Sequence, residues 1–145
     1  MKAIALALLL GLAPLCCAAD HSQALAIAAS NEVDALKSWQ DLLLWYQTYP
    51  PRYDDGEVSE GISDFIGTTL AYQWQTLPEL IELAHQHPSY LKFITQHLGE
   101  IIGCNETKII IGKALQDCPM EGAAVCTTIR QNLSKSAAPE CLPEP

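Results

Sequence analysis

The sequence predicts an all-α fold, a compact bundle of about five to six helices with disulfides in its C-terminal part. Three observations carry this. Apolar residues recur at three- and four-residue steps through most of the chain, no segment sustains the two-residue alternation of a strand, and Cys104, Cys118, Cys126 and Cys141 all fall in the last third.

The first 19 residues, MKAIALALLLGLAPLCCAA, carry one early cation, Lys2, then an uncharged apolar run too short to anchor in a bilayer, then small residues ahead of Asp20. That pattern is a cleaved secretory signal peptide, residues 1–19. A lipid-anchored cysteine is disfavoured, because Leu15 precedes Cys16 and Cys16 precedes Cys17, where a small residue is expected. Residues 20–135 are expected to form a single helical domain and residues 136–145 a proline-rich tail tied down by Cys141. No later stretch is long and apolar enough for a transmembrane anchor, so the mature chain is expected to be secreted or periplasmic.

The chain has 8 Lys and Arg against 17 Asp and Glu. Loss of Lys2 with the leader leaves 7 cations against 17 acids, a formal charge of −10. Such a polyanion is not expected to bind nucleic acid, and a basic or neutral protein is the favoured partner. Removing 19 residues from 145 leaves 126. A chain of that size buries roughly two-thirds of the surface its unfolded form exposes, so its core needs no metal and no cofactor is expected.

The first helix is expected from a cap at Ser30 or Asn31 to Tyr49, with Val33, Leu36, Trp39, Leu43 and Tyr46 on one face and Pro50 and Pro51 as its stop. A second, about Glu57 to Gln75, places Val58, Ile62, Phe65, Thr69 and Tyr72 on one stripe. Gly61 and Gly67 weaken its propensity, which close helix packing would offset. Thr76 with Glu79 makes a capping-box pattern around Pro78 for a third helix, and Pro88 opens a fourth where its missing N–H is harmless. PELIELAHQH and PSYLKFITQH share proline, glutamine and histidine in register, two similar helices in succession; Gly99 ends the second. NETKIIIGKALQD and the stretch from about Glu121 to Ser134 complete the set.

Helix length constrains the cysteines. The helix between Cys104 and Cys118 separates its ends by roughly 20 Å, far beyond the ~4.4–6.8 Å that a disulfide allows between Cα atoms. Cys104 is therefore not expected to pair with Cys118. An antiparallel return favours Cys104 with Cys141 and Cys118 with Cys126, the crossed pairing remaining open if the helices meet steeply. Zinc is disfavoured: no close Cys-x-x-Cys pair exists, and no histidine follows His97.

The densest run of charge is RYDDGEVSEG, Arg52 to Gly61. A calcium loop needs oxygen ligands at alternate positions around a central glycine; here Asp54 and Asp55 are adjacent and Gly56 comes too early. The structural reading makes Asp54 the cap of the second helix, with Glu57 three residues on. The functional reading takes in the neighbourhood. Trp45, Tyr46, Tyr49, Arg52 and Tyr53 crowd beside the acids, and Glu57, Glu60 and Asp64 share one helix face. An aromatic loop with a negative ridge would make a partner-binding surface of Tyr49, Arg52, Tyr53, Asp54, Asp55, Glu57, Glu60 and Asp64.

His85, His87 and His97 read as surface or cap residues, a proton-relay role requiring His85 or His87 to meet His97. The chain lacks a Gly-x-Ser-x-Gly elbow, a His-Glu-x-x-His pair, a phosphate loop and a dinucleotide fingerprint, so no enzyme is expected. Asn105-Glu-Thr107 and Asn132-Leu-Ser134 match glycosylation acceptors, with Asn105 equally suited to cap a helix.

The expected function is protein binding by a small exported acidic protein, an inhibitor or an immunity-type protein. Two alternatives follow from the same residues: a carrier holding a small apolar ligand between helices, which needs an enclosed cavity, and a carboxylate-dependent hydrolase, with Glu60 and Asp64 the nearest candidate acids.

Overall fold

The computed structural model describes the backbone of residues 16–99 and 101–142, and side chains from Ser22 onward except that of Glu100. The expected signal peptide lies largely outside the described residues; Cys16 to Ala19 open the first helix. In order, the α-helices are α1 Cys16–Asp34, α2 Trp39–Thr48, α3 Gly56–Tyr72, α4 Leu77–Gln86, α5 Pro88–Gln96, α6 Cys104–Gln116 and α7 Ala123–Ser136. Single 3-10 turns occupy Pro51–Tyr53, Trp74–Thr76, Met120–Gly122 and Pro139–Cys141. The fold is all-helical, with no strand among the described residues and seven helices in place of the expected five to six.

The extra helix comes from the amino-terminal half: Ser30 and Asn31 lie inside α1 rather than capping a helix, and the expected helix to Tyr49 is interrupted between Asp34 and Trp39. Ser38 adopts an extended conformation and its hydroxyl accepts from the Asp41 N–H at 3.1 Å, starting α2 afresh. The Asp41 carboxylate in turn accepts from the Lys37 N–H. The break lets α2 fold back so that the Trp45 indole donates to the Ala29 carbonyl of α1 at 3.0 Å.

The Thr76–Glu79 capping box does not form. Thr76 Oγ1 accepts instead from the Trp39 indole at 3.0 Å, and Glu79 accepts from the Gln40 N–H, so both side chains clamp α2 to α4. Asn105 is not a cap either: α6 starts at Cys104 behind Gly103, and the Asn105 amide donates to the Tyr72 hydroxyl.

The helices close a ring of packing partners, α1 on α2, α2 on α4, α4 on α5, α5 on α7, α7 on α6, α6 on α3 and α3 back on α1. Inside it lie Trp39, Leu42, Ile62, Ile66, Leu70, Leu80, Tyr90, Ile94, Ile110, Ile129 and Leu133, all essentially without exposure. The glycines of α3 set two of these approaches. A Cβ on Gly61 would stand 2.7 Å from Val33 of α1, and one on Gly67 would stand 3.2 Å from Ile102 of the α5–α6 link. Several buried indoles and phenols reach partners on other elements: Trp74 donates to the Asp117 carbonyl and Tyr90 to the Trp39 carbonyl at 2.8 Å.

The disulfides join Cys104 to Cys141 and Cys118 to Cys126, the pairs that the helix-length argument favours. The first ties the tail to the start of α6, and the second straps the start of α7 to the end of α6. Two formed disulfides fit an oxidising, extracellular or periplasmic setting. None of the described helices is long and apolar enough to cross a membrane.

Candidate functional site

Helix α3 begins at Gly56, close to the expected start, but its cap lies one residue later than the charge pattern suggested. Asp55, not Asp54, is its N-cap, its carboxylate accepting from the Gly56 N–H at 2.8 Å, and Gly56 has φ +52, a conformation that favours glycine. This corrects the reading of Asp54 as a cap. The left-handed step frees Asp54 to turn inward, where its Oδ2 meets His97 Nε2 at 3.2 Å.

His97 is likewise not a surface residue. It terminates α5, but its side chain is 5% exposed, against 23% for Asp54, and its ring stands edge-on to Phe93 at 4.7 Å between centroids. Its other nitrogen, Nδ1, lies 3.1 Å from the hydroxyl of Ser63, a buried residue of α3. His85 and His87 play no part in this contact, so the relay that forms is Ser63–His97–Asp54 and not a histidine pair.

Two proton arrangements satisfy these contacts. With one proton on the imidazole, Nε2–H donates to Asp54 and Nδ1 accepts from Ser63; with two, both nitrogens donate and the Ser63 hydroxyl turns to the Ser59 carbonyl, 2.9 Å away. Asp54 Oδ1 is buried and has no hydrogen-bond partner among the described residues. The relay opens on a surface groove of about 500 Å³ lined by Asp54, Ser59, Ser63, Gln96, His97, Gly99 and Ile101.

Asp54 and Gln96 also border a second groove of about 420 Å³ between α2 and α5, walled by Trp45, Tyr46, Tyr49 and Phe93 with Lys92 on its rim. This groove is open to solvent, unlike the enclosed cavity a ligand carrier requires.

The structure separates the proposed binding residues into two sets. Tyr49 and Tyr53 belong to the core, 7% and 8% exposed. The Tyr49 hydroxyl donates to Glu32 at 2.8 Å, and burial together with that carboxylate pushes its pKa up to about 12. Tyr53 meets its neighbour Arg52, whose guanidinium lies 4.8 Å from the ring centroid and donates to the hydroxyl, holding the phenol below its ordinary pKa. Asp55, Glu57, Glu60 and Asp64 remain exposed, as does Arg52. Asp64 borders another groove, of about 510 Å³, together with Asp34 and Lys37, and Glu60 is not among the residues lining it.

The sequence reading missed Ser63 altogether; of its surface-or-cap reading of His97 the cap holds, since His97 is the C-cap of α5, but the side chain is buried. The available signal was weak: Ser63 is a polar residue flanked by Ile62 on an otherwise apolar helical stripe, and nothing local connects it to a histidine 34 positions later. No family model matches the chain, and no curated protein or solved structure matches it.

Proposed function

We propose that this protein is exported through a cleaved leader and binds another protein, a basic or neutral one, as an inhibitor or immunity-type protein in the periplasm or extracellular space. One observation carries the reading. Asp55, Glu57, Glu60 and Asp64 stand exposed at the start and along one side of α3, a helix without a single Lys, Arg or His.

Among the described residues none of these four acids lies within ion-pair distance of a Lys, Arg or His; the one such contact, His97 with Asp54, involves none of them. An exposed row of like charges costs stability through self-repulsion and raises the association rate of an oppositely charged protein. Arg52, laid over Tyr53 at the end of the row, adds a residue type common at interface anchors.

The test begins with affinity capture from the source organism under oxidising conditions, followed by titration of the captured partner. Affinity is expected to fall at least tenfold between ~50 and ~300 mM salt, because the Debye length shrinks below the spacing of exposed charges. The variant carrying Asp55→Asn, Glu57→Gln and Glu60→Gln is expected to lose affinity and most of that salt dependence. These exposed positions are the ones to change; Tyr53→Ala would open the core and confuse unfolding with lost contact. Unchanged affinity in the triple variant would remove this face from consideration.

A further inference from the structure

We infer that Ser63 is a nucleophile, with His97 as its base and Asp54 as the residue that positions the imidazole, and that the adjoining groove hydrolyses carboxylic esters with short acyl chains. The inference goes beyond protein binding and stands on different residues. Two contacts, 3.1 Å from Ser63 to His97 Nδ1 and 3.2 Å from His97 Nε2 to Asp54, connect a hydroxyl, an imidazole and a carboxylate in the order that acyl transfer requires.

The three residues come from three separate places, the turn before α3, the middle of α3 and the end of α5, and all three border one groove of about 500 Å³. A proton held on Nε2 by the Asp54 carboxylate leaves Nδ1 as the lone-pair nitrogen facing the serine. Fixing that tautomer is what the third member of such a triad contributes. Ser59 lies one helical turn before Ser63 on the same face and on the wall of the same groove, and its hydroxyl serves as a donor to the developing oxyanion. Gly99 and the half-exposed Ile101 give the groove an uncharged wall against which a short acyl chain lies.

The chemistry balances within these groups and water. Ser63 Oγ bonds to the ester carbonyl carbon as its proton passes to His97 Nδ1. The bond from that carbon to the alcohol oxygen then breaks, and the alcohol leaves with the proton from Nδ1. Water adds its oxygen to the acyl carbon and gives a proton to Nδ1; the acid departs as Ser63 Oγ recovers that proton.

The test uses the whole oxidised protein, a fluorophosphonate probe and p-nitrophenyl butyrate. One covalent adduct is expected, located by peptide mass at Ser63, together with ester hydrolysis at least tenfold above that of Ser63→Ala. His97→Gln and Asp54→Asn should each lower labelling and hydrolysis at least tenfold. The double variant His85→Gln and His87→Gln, which alters the histidines outside the relay, should match the unaltered protein. Labelling of the unaltered chain needs no variant to fold, so failure to form an adduct at Ser63 overturns the inference. Hydrolysis equal in Ser63→Ala, with helicity retained by circular dichroism, overturns it equally.

Discussion

The two halves of this molecule are held together by different means. All 10 aromatic residues, 3 Trp, 5 Tyr and 2 Phe, lie between Trp39 and Phe93, and both disulfides lie beyond Gly103. In the first half, rings pack on rings, as Tyr46 does on Phe93 at 4.7 Å, and their polar ends bond across elements. In the second, α6 and α7 meet through aliphatic side chains such as Ile110, Ile129 and Leu133 and are cross-linked covalently. Small aliphatic contacts tolerate sliding, whereas a ring with a bonded N–H or O–H has one position. Covalent closure supplies to the second half the restriction that directional polar contacts supply to the first.

The strongest way to break that contrast is to remove a cross-link. Replacing Cys104 and Cys141 by serine opens a closure of 37 residues and should cost roughly 4 kcal/mol in chemical denaturation. Removing Cys118–Cys126, which closes only 8, should cost about 2.5 kcal/mol. Hydrogen exchange on the reduced protein should show amides of α6 and α7 opening before those of α2 and α4. Simultaneous loss of protection in both halves would mean that the disulfides support the whole ring.

A smaller effect tests the aromatic half. Tyr90→Phe keeps the ring but leaves the buried Trp39 carbonyl without its donor, and should destabilise by about 1–3 kcal/mol, with no change in disulfide content. The same half should also respond to alkali. Native Tyr49 holds its proton to about pH 12, whereas an unfolded tyrosine releases it near pH 10. The native state therefore binds the proton more tightly, so this contribution is complete below about pH 10 and is lost as pH rises towards 12. Tyr49→Phe should flatten the fall in stability over that window, with buried Tyr90, whose pKa is also raised, carrying part of the remainder. Least of all, Tyr72→Phe should leave the midpoint of chemical denaturation nearly unchanged. Its bond to Glu106 raises the phenol's pKa and lowers the carboxyl's, but the pair is solvent-exposed.

The helices at Pro88, Gly56 and Cys104 were legible because proline, glycine and apolar periodicity act within a few residues. The division of the first helix escapes the sequence reading: the apolar steps through Val33, Leu36 and Trp39 suggest one continuous helix, whereas Ser38, whose hydroxyl accepts from the Asp41 N–H, starts a new one. The Thr76–Glu79 pattern failed for the opposite reason, since a local cap was outbid by partners on α2 that no local window contains. In the acidic stretch, Asp55, Glu57, Glu60 and Asp64 kept the exposure their spacing implied, while Tyr49 and Tyr53 went into the core and Asp54 turned to His97.

By itself the sequence determined the helical class, the acidic surface and a disulfide pairing narrowed by helix length, because each depends on composition or on distances along one rigid element. Only the tertiary structure decided that Asp54, Ser63 and His97 share one groove. Their meeting depends on how α3 and the end of α5 are set against each other, and that placement comes from packing the entire apolar interior at once.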